Sequence, residues 1–266
     1  MSVNSNSKGI ALVTGASSGI GAIYADRLAR RGHDLILVAR DAARLNALAK
    51  RLHTATGRQV EVLSADLTNK EDVLRVEQRL QSDERIDLLV NNAGVGATSP
   101  LVDSDADRLD DMIQLNVTAL TRLTRAVAPG MVRRGKGAVI NIASIVALSP
   151  ELLNGTYGGS KAFVLAFTQS LNHELGPKGI QVQAVLPGAT STDFWNVAGV
   201  PVSHLPGEIV MQAEEMVDAA LVGFDRKELV TIPSLPDAGD WERFEAARTA
   251  LGPNLSRSSA ASRYQH

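Results

Sequence analysis

Apolar residues along this chain fall into two patterns. Short unbroken runs, rich in β-branched residues, occupy positions 10–14 (IALVT), 35–39 (LILVA), 59–63 (QVEVL), 86–90 (IDLLV), 137–143 (GAVINIA) and 180–186 (IQVQAVL). Each run predicts a buried strand. Between them the apolar residues recur every three or four positions, as in GAIYADRLARRG and at 44–52, about 70–80, about 107–134 and about 156–175. That spacing predicts helices with one buried face. Strand and helix alternate at least six times. The strands are continuously apolar, as in a parallel sheet covered on both faces. The fold class is therefore α/β, a doubly wound parallel sheet of Rossmann type.

No composition break or interior linker interrupts residues 9–234, which reads as one domain, preceded by a disordered N-terminus over 1–8. Residues 187–208 (PGATSTDFWNVAGVPVSHLPGE) depart from the alternation, and their prolines and glycines predict a long loop within a substrate segment spanning 187–212. A helix at about 213–222 and a short strand, LVTIP, follow. Residues 235–266 form a polar tail with one helix around 240–251, and its end, SRSSAASRYQH, is expected to lack order.

Composition narrows the function classes. The formal net charge is −2 and aromatics are 4%, which argues against a nucleic-acid surface or a stacking platform for bases. With no cysteine, disulfides, thiolate metal sites and thiol catalysis are excluded. His33, His53, His173, His204 and His266 are scattered without ligand spacing, so no metal is expected. The opening MSVNSNSKG lacks a signal-peptide core, and no apolar run reaches membrane-spanning length. A soluble cytoplasmic protein is expected, with no membrane partner.

The turn after the first strand, TGASSGIG (14–21), spaces its glycines as Gly-x-x-x-Gly-x-Gly. Gly15, Gly19 and Gly21 permit a tight turn and close backbone approach, with Ser17, Ser18 and Ile20 between them. The free N–H groups of the following helix suit a pyrophosphate, so a dinucleotide site is expected here. An NAD site wants a carboxylate at the end of the second strand. The strand ends LVARD, with Arg40 where that acid would stand. A guanidinium there pairs with a 2′-phosphate, which favours NADP; Arg44 lies one turn on. Two alternatives stay open: Arg40 as a plain surface residue, and Asp41 as the ribose ligand in a shifted register. Tyr157 and Lys161, in TYGGSKAF, share one helix face at i and i+4. Taken alone, such a pair is an accident of the surface.

TGASSGIG, NNAG and YGGSK stand in this order on one alternating chain, and from about residue 10 to 216 the sequence resembles the short-chain dehydrogenase/reductase family, in particular its NADP-preferring carbonyl reductases. The resemblance implies catalytic roles for Asn116, Ser144, Tyr157 and Lys161. It implies cofactor contacts from Asp66 and Leu67 at an adenine pocket, and from Asn92, Ala93 and Gly94 beside the nicotinamide ribose. Pro187, Gly188 and Thr192 belong to an element whose threonine holds the nicotinamide carboxamide. Lys161 is expected to bind the ribose and to lower the pKa of Tyr157, the proton donor in reduction. Ser144 is expected to polarise the carbonyl, and Asn116 to help hold a proton-relaying water. Where some NADP-specific relatives carry a basic residue this chain has Ser18, so the 2′-phosphate rests on Arg40 with Ser17 or Ser18. Gly158 and Gly159 replace bulkier family residues and are expected to leave room beside Tyr157.

The expected reaction interconverts a ketone or aldehyde and an alcohol on a small apolar molecule, because Phe194, Trp195, Val197, Val200 and Val202 enrich the substrate loop. One alternative is a 3-oxoacyl-carrier-protein reductase, with Arg122, Arg125, Arg133 and Arg134 as the docking surface for an acidic carrier. Another is a non-catalytic dinucleotide sensor. The resemblance also implies a homodimer or homotetramer formed through the helices at 107–134 and 156–175.

Overall fold

In β1 (Ile10–Thr14) all five residues are buried, yet they face two different cores. Ala11 and Val13 point to one side of the sheet, Ile10 and Leu12 to the other. This two-sided burial is what an unbroken apolar run requires. The computed structural model describes residues 7–264. The expected disorder of residues 1–6 lies outside them. Ser7 and Lys8 are tied down: the Lys8 amide donates to Gly32 O and the Ser7 hydroxyl to Gly9 O.

After β1 come α1 (Gly19–Arg30), β2 (Asp34–Ala39), α2 (Ala42–Thr56), β3 (Val60–Ser64), α3 (Lys70–Ser82) and β4 (Ile86–Asn91). Then come α4 (Ala106–Ile113), α5 (Leu120–Arg134), β5 (Gly137–Ile142), α6 (Gly155–Leu175) and β6 (Ile180–Val185). The remaining elements are β7 (Thr190–Ser191), α7 (Phe194–Ala198), β8 (Met211–Gln212), α8 (Ala213–Asp225), β9 (Val230–Thr231) and α9 (Ala238–Ala250). Among the described residues the main sheet has seven strands in the order β3-β2-β1-β4-β5-β6-β9, every pairing parallel. α1, α2 and α8 cover one face, and α3, α5 and α6 the other. The strand order reverses between β1 and β4, so a crevice opens at their C-terminal ends.

Three expectations change. The helix drawn over 107–134 is broken by a π-helical stretch, Gln114–Ala119. The 187–208 loop contains structure of its own: β7 and β8 pair at its base, and α7 lies between them. The tail end, expected without order, carries a 3-10 turn at Ser262–Tyr264, with residues 265–266 outside the described part. One compact unit ends at Pro233 and a second begins at Ser234. In the second, α9 buries none of its residues, Trp241 stacks on Phe244, and Asp237 caps the first turn.

A line of buried amides and hydroxyls crosses the sheet. Asn91 Nδ2 donates to Thr124 Oγ1 (3.0 Å) and to Asn141 Oδ1 (2.9 Å). Asn141 Nδ2 donates to Thr168 Oγ1 (2.9 Å). Thr124 and Thr168 donate in turn to the Leu120 and Val164 carbonyls of α5 and α6.

His33 lies 3.7 Å from Asp87 beneath β1, both side chains largely buried. Burial pushes the imidazole down to about 4, and Lys8, Lys136 and Arg31 push the same way. The unfolded chain then binds one proton more than the folded chain between pH 4 and about 6.5, so stability is lost as pH falls through that window. Wild type is expected to lose on the order of 2–3 kcal/mol across it that His33→Gln does not. Comparing the two isolates the histidine from Asp87, whose carboxyl burial pushes up. Urea midpoints at pH 7 and pH 5 check this, and parallel losses in both proteins would refute it.

Candidate active site

The turn between β1 and α1 is built around two positions that admit no side chain. Gly15 has φ +64°, and a Cβ there would stand 2.9 Å from Ala93 Cα. A Cβ on Gly21 would stand 2.3 Å from Gly15 O. The N-cap of α1 is Ser18, whose side chain makes no capping bond. By contrast Asp41, Asn69, Asp105 and Asn154 cap α2, α3, α4 and α6. The first turn of α1, with Gly19, Ile20 and Gly21, therefore keeps its N–H groups for a ligand anion. Ser17 and Ser18 are partly exposed beside it.

Asp41 is committed elsewhere. Its carboxylate accepts the Arg44 amide at 2.9 Å as the cap of α2, and pairs with the Arg44 guanidinium at 3.3 Å. Arg40 remains open, with a side chain 75% exposed and Asp66 at 3.9 Å. Asp66 Oδ1 is held by the Thr68 amide and hydroxyl. The Leu67 side chain belongs to the core.

On the other side of the crevice the Thr14 hydroxyl accepts from the amides of both Asn92 and Ala93, at 3.0 Å each. Asn92 Nδ2 donates back to Thr14 O and Gly15 O. These bonds clamp the segment after β4 onto the glycine turn. Gly94 is next, so close to the catalytic candidates that a Cβ on it would stand 3.1 Å from Asn116 Oδ1 and 3.4 Å from Lys161 Nζ. The Pro187 carbonyl accepts the Ile145 amide at 3.0 Å, and Gly188 O accepts the Thr190 hydroxyl at 3.1 Å. The Thr192 methyl lies against Gly19, 3.3 Å from where a Cβ would be.

Asn116, Ser144, Tyr157 and Lys161 are all buried at these strand ends. Asn116 occupies the π-helical stretch, a feature frequent at functional sites. Its Nδ2 donates to Val95 O (2.9 Å) and Ser160 Oγ (3.0 Å), and its Oδ1 accepts the Val95 amide (3.0 Å). Both amide protons are thus spent on protein groups, so the side chain is no donor to a relay water. Ser160 donates to Tyr157 O at 2.8 Å, linking Asn116 to α6. Ser144 Oγ accepts the Val146 amide and lies 3.5 Å from Pro187 O. Lys161 Nζ donates to Ile142 O at 2.9 Å.

The proton affinities differ from expectation. Burial pushes the Tyr157 phenol up to about 12, and the Ser144 hydroxyl acts in the opposite sense. Lys161 does not lower it. The amine is itself pushed down to about 8 by burial, points to the Ile142 carbonyl, and stands 5.8 Å from the tyrosine ring centre. The surroundings of Tyr157 explain its burial: Met112 and Val146 pack on it, with Val95, Ala97, Leu109, Leu153 and Phe194 around them.

Of the loop residues expected at the substrate, Phe194 reaches Tyr157, with ring centres 5.8 Å apart. Trp195 is buried with its indole N–H on Thr190 O, and Val197 is exposed. Val200 and Val202 are partly buried. Gly158 leaves no room, since a Cβ on it would lie 3.3 Å from Pro150, and Gly159 faces open space.

Two positioning residues escaped the sequence reading. Thr14 carries no local signal beyond ending a strand. Asn154 does carry one, an Asn just before a helix. It caps α6 through the Thr156 and Tyr157 amides and holds Ser99 O through Nδ2.

A sequence profile described as short chain dehydrogenase matches residues 9–199. The chain belongs to the short chain dehydrogenase family. Its similarity to solved members runs almost end to end. A short-chain dehydrogenase from Sphingobium yanoikuyae, in complex with NADPH, is 53% identical over 97% of this chain and 100% of that one, with a TM-score of 0.94. A bulky-bulky ketone specific alcohol dehydrogenase from Comamonas testosteroni is 49% identical over 97% of this chain and 99% of that one, with a TM-score of 0.90. Among short chain dehydrogenase sequences, the very-long-chain 3-oxoacyl-CoA reductase of Anas platyrhynchos is 38% identical over 71% of this chain and 62% of its own length.

Proposed function

We propose that this chain reduces bulky, uncharged, apolar ketones with NADPH, and oxidises the matching alcohols in reverse. The observation that carries the reading is a buried phenol and hydroxyl, Tyr157 and Ser144, converging with Lys161 inside an apolar collar. The free N–H groups of α1, the exposed Arg40 and the clamped Asn92–Ala93–Gly94 segment fit a dinucleotide phosphate. Asp66, Lys161 and Thr192 would complete its site, and the NADPH complex of the Sphingobium yanoikuyae relative supports that cofactor. Bound there, NADPH supplies the hydride.

The protein handles the oxygen. Ser144 and Tyr157 hydrogen-bond the carbonyl, and Tyr157 gives its hydroxyl proton as charge builds there. A phenol near 12 is protonated throughout the neutral range, as a donor must be. Lys161 holds the ribose hydroxyls. Asn116 fixes the Val95 peptide and the start of α6, which holds the donor in line. The 187–212 segment serves as the lid.

Charge supports an uncharged substrate. The segment joining Ala97 to Met112, both in the collar, carries Asp103, Asp105, Asp107, Asp110 and Asp111 against Arg108 alone. Glu151 lies two residues from Leu153 and Asp193 next to Phe194, both collar residues, and both acids are exposed. These acids oppose an anionic acyl carrier or coenzyme thioester. Two of the four arginines suggested for such a carrier are also paired with acids, Arg122 with Glu77 and Arg133 with Glu84.

The test is NADPH oxidation with valerophenone and with its para-carboxylate. The neutral ketone is expected to have the higher kcat/KM by about tenfold at low salt, the gap closing as salt rises. No turnover of either ketone, or equal use of the carboxylate, would sink the reading.

A further inference from the structure

Phe194 is held more firmly than a lid residue needs to be. Its ring rests in a hollow made by Gly96, where a Cβ would stand 2.3 Å from Phe194 Cζ. Trp195 meets it edge-on at 5.6 Å, and the Trp195 indole is itself fixed by Thr190 O at 2.9 Å. At the other end of α7, the Thr98 amide and hydroxyl both donate to Ala198 O, at 3.2 and 2.7 Å. These bonds tie the helix to the segment that carries Gly96. The Phe194 amide donates to Thr192 Oγ1 at 3.4 Å, on the cofactor side. The ring is thereby fixed against Tyr157, tilted 45° to it, and partly buried.

A ketone has two substituents, and its oxygen must reach the hydroxyls of Tyr157 and Ser144. One substituent then has to pass along the tyrosine ring, and Phe194 closes that direction. We propose that Phe194 is the specificity-determining residue of this site: seated in the Gly96 hollow, its ring sets the largest substituent that fits beside Tyr157. The same wall orients the ketone and so selects the alcohol enantiomer. This inference rests on the ketone-reductase reading.

The experiment compares acetophenone with valerophenone, which differ only in the alkyl arm, using wild type, Phe194→Ala, Phe194→Leu and Phe194→Trp with saturating NADPH. One methylene in an apolar pocket changes kcat/KM by about tenfold or more. Phe194→Ala is therefore expected to raise the valerophenone-to-acetophenone ratio of kcat/KM at least about tenfold, with Phe194→Leu between it and wild type. Phe194→Trp is expected to lower the ratio. The enantiomeric excess of the product should move with the ratio across the series. NADPH fluorescence titration identifies any variant that has lost its fold, and Phe194→Leu keeps the comparison alive if alanine does. An active wild type whose ratio and enantiomeric excess stay constant through the series overturns this inference and leaves the reductase reading standing. A wild type that reduces neither ketone overturns both.

Discussion

Tyr157→Phe is expected to lower kcat for ketone reduction by about 10²–10⁴-fold while NADPH binding stays near wild type. The loss falls on kcat because the hydroxyl proton is needed at the moment charge builds on the substrate oxygen. The phenylalanine ring keeps the contacts to Met112, Val146 and Phe194, so the fold has no reason to change. The pH profile should separate the two directions. Oxidation needs the phenolate, and with the phenol pushed up to about 12 its rate should climb with pH through the neutral and mildly alkaline range. Reduction needs the neutral phenol and should not follow that climb. Full turnover in Tyr157→Phe would make the chain a different kind of catalyst, and full biological function without turnover would make it a dinucleotide sensor.

Arg40→Ser should cost NADPH affinity about 10- to 100-fold and leave NADH affinity nearly unchanged. A hydrogen bond to a charged group is worth roughly 1.5–3 kcal/mol, and each 1.4 kcal/mol is about tenfold. Arg40 is held only by a 3.9 Å approach to Asp66, and the arginines near it are held more closely. Arg44 is paired with Asp41, and Arg75 with Asp72 and Ser64 O. Fluorescence titration of wild type and variant with both cofactors decides it. A wild type that binds NADH as tightly as NADPH would refute the role of Arg40, and capping of α2 by Asp41 would then have to yield to a ribose.

The sheet was legible because its strands rest on local patterns, whereas Asn116, Ser144, Tyr157 and Lys161, all buried, were singled out through the family resemblance. Apolar runs such as 10–14 and 137–143 can only be strands between helices, and Tyr157 with Lys161 gains meaning from the glycine turn and NNAG in the same chain. The π-helical stretch was not legible. A shift from i+4 to i+5 bonding over six residues leaves the apolar spacing of 107–134 almost untouched. The proton affinity of Tyr157 was misread because it depends on what covers the ring. Met112, Val146 and Phe194 come from three separate elements, and no spacing in the sequence places them together. Asp41 was readable as a helix cap, since an Asp stands immediately before a helical run. It was left open because the same position also suits a ribose ligand.

The amide line from Thr124 through Asn91 and Asn141 to Thr168 bears on how reliably the chain finds this arrangement. β4 and β5 are parallel and apolar on both faces, so sliding one past the other still sets valine against isoleucine and loses little burial. An amide pair cannot slide. Asn91 meets Asn141 in one alignment only, and any other strands a carboxamide in hydrocarbon at a cost of about 1–3 kcal/mol. The two asparagines thus work as a key in a lock whose other pins are nearly alike. Asn91→Val together with Asn141→Val would preserve the packing and erase the key, and the expected symptom is a mixture of strand alignments on refolding rather than a lower melting point.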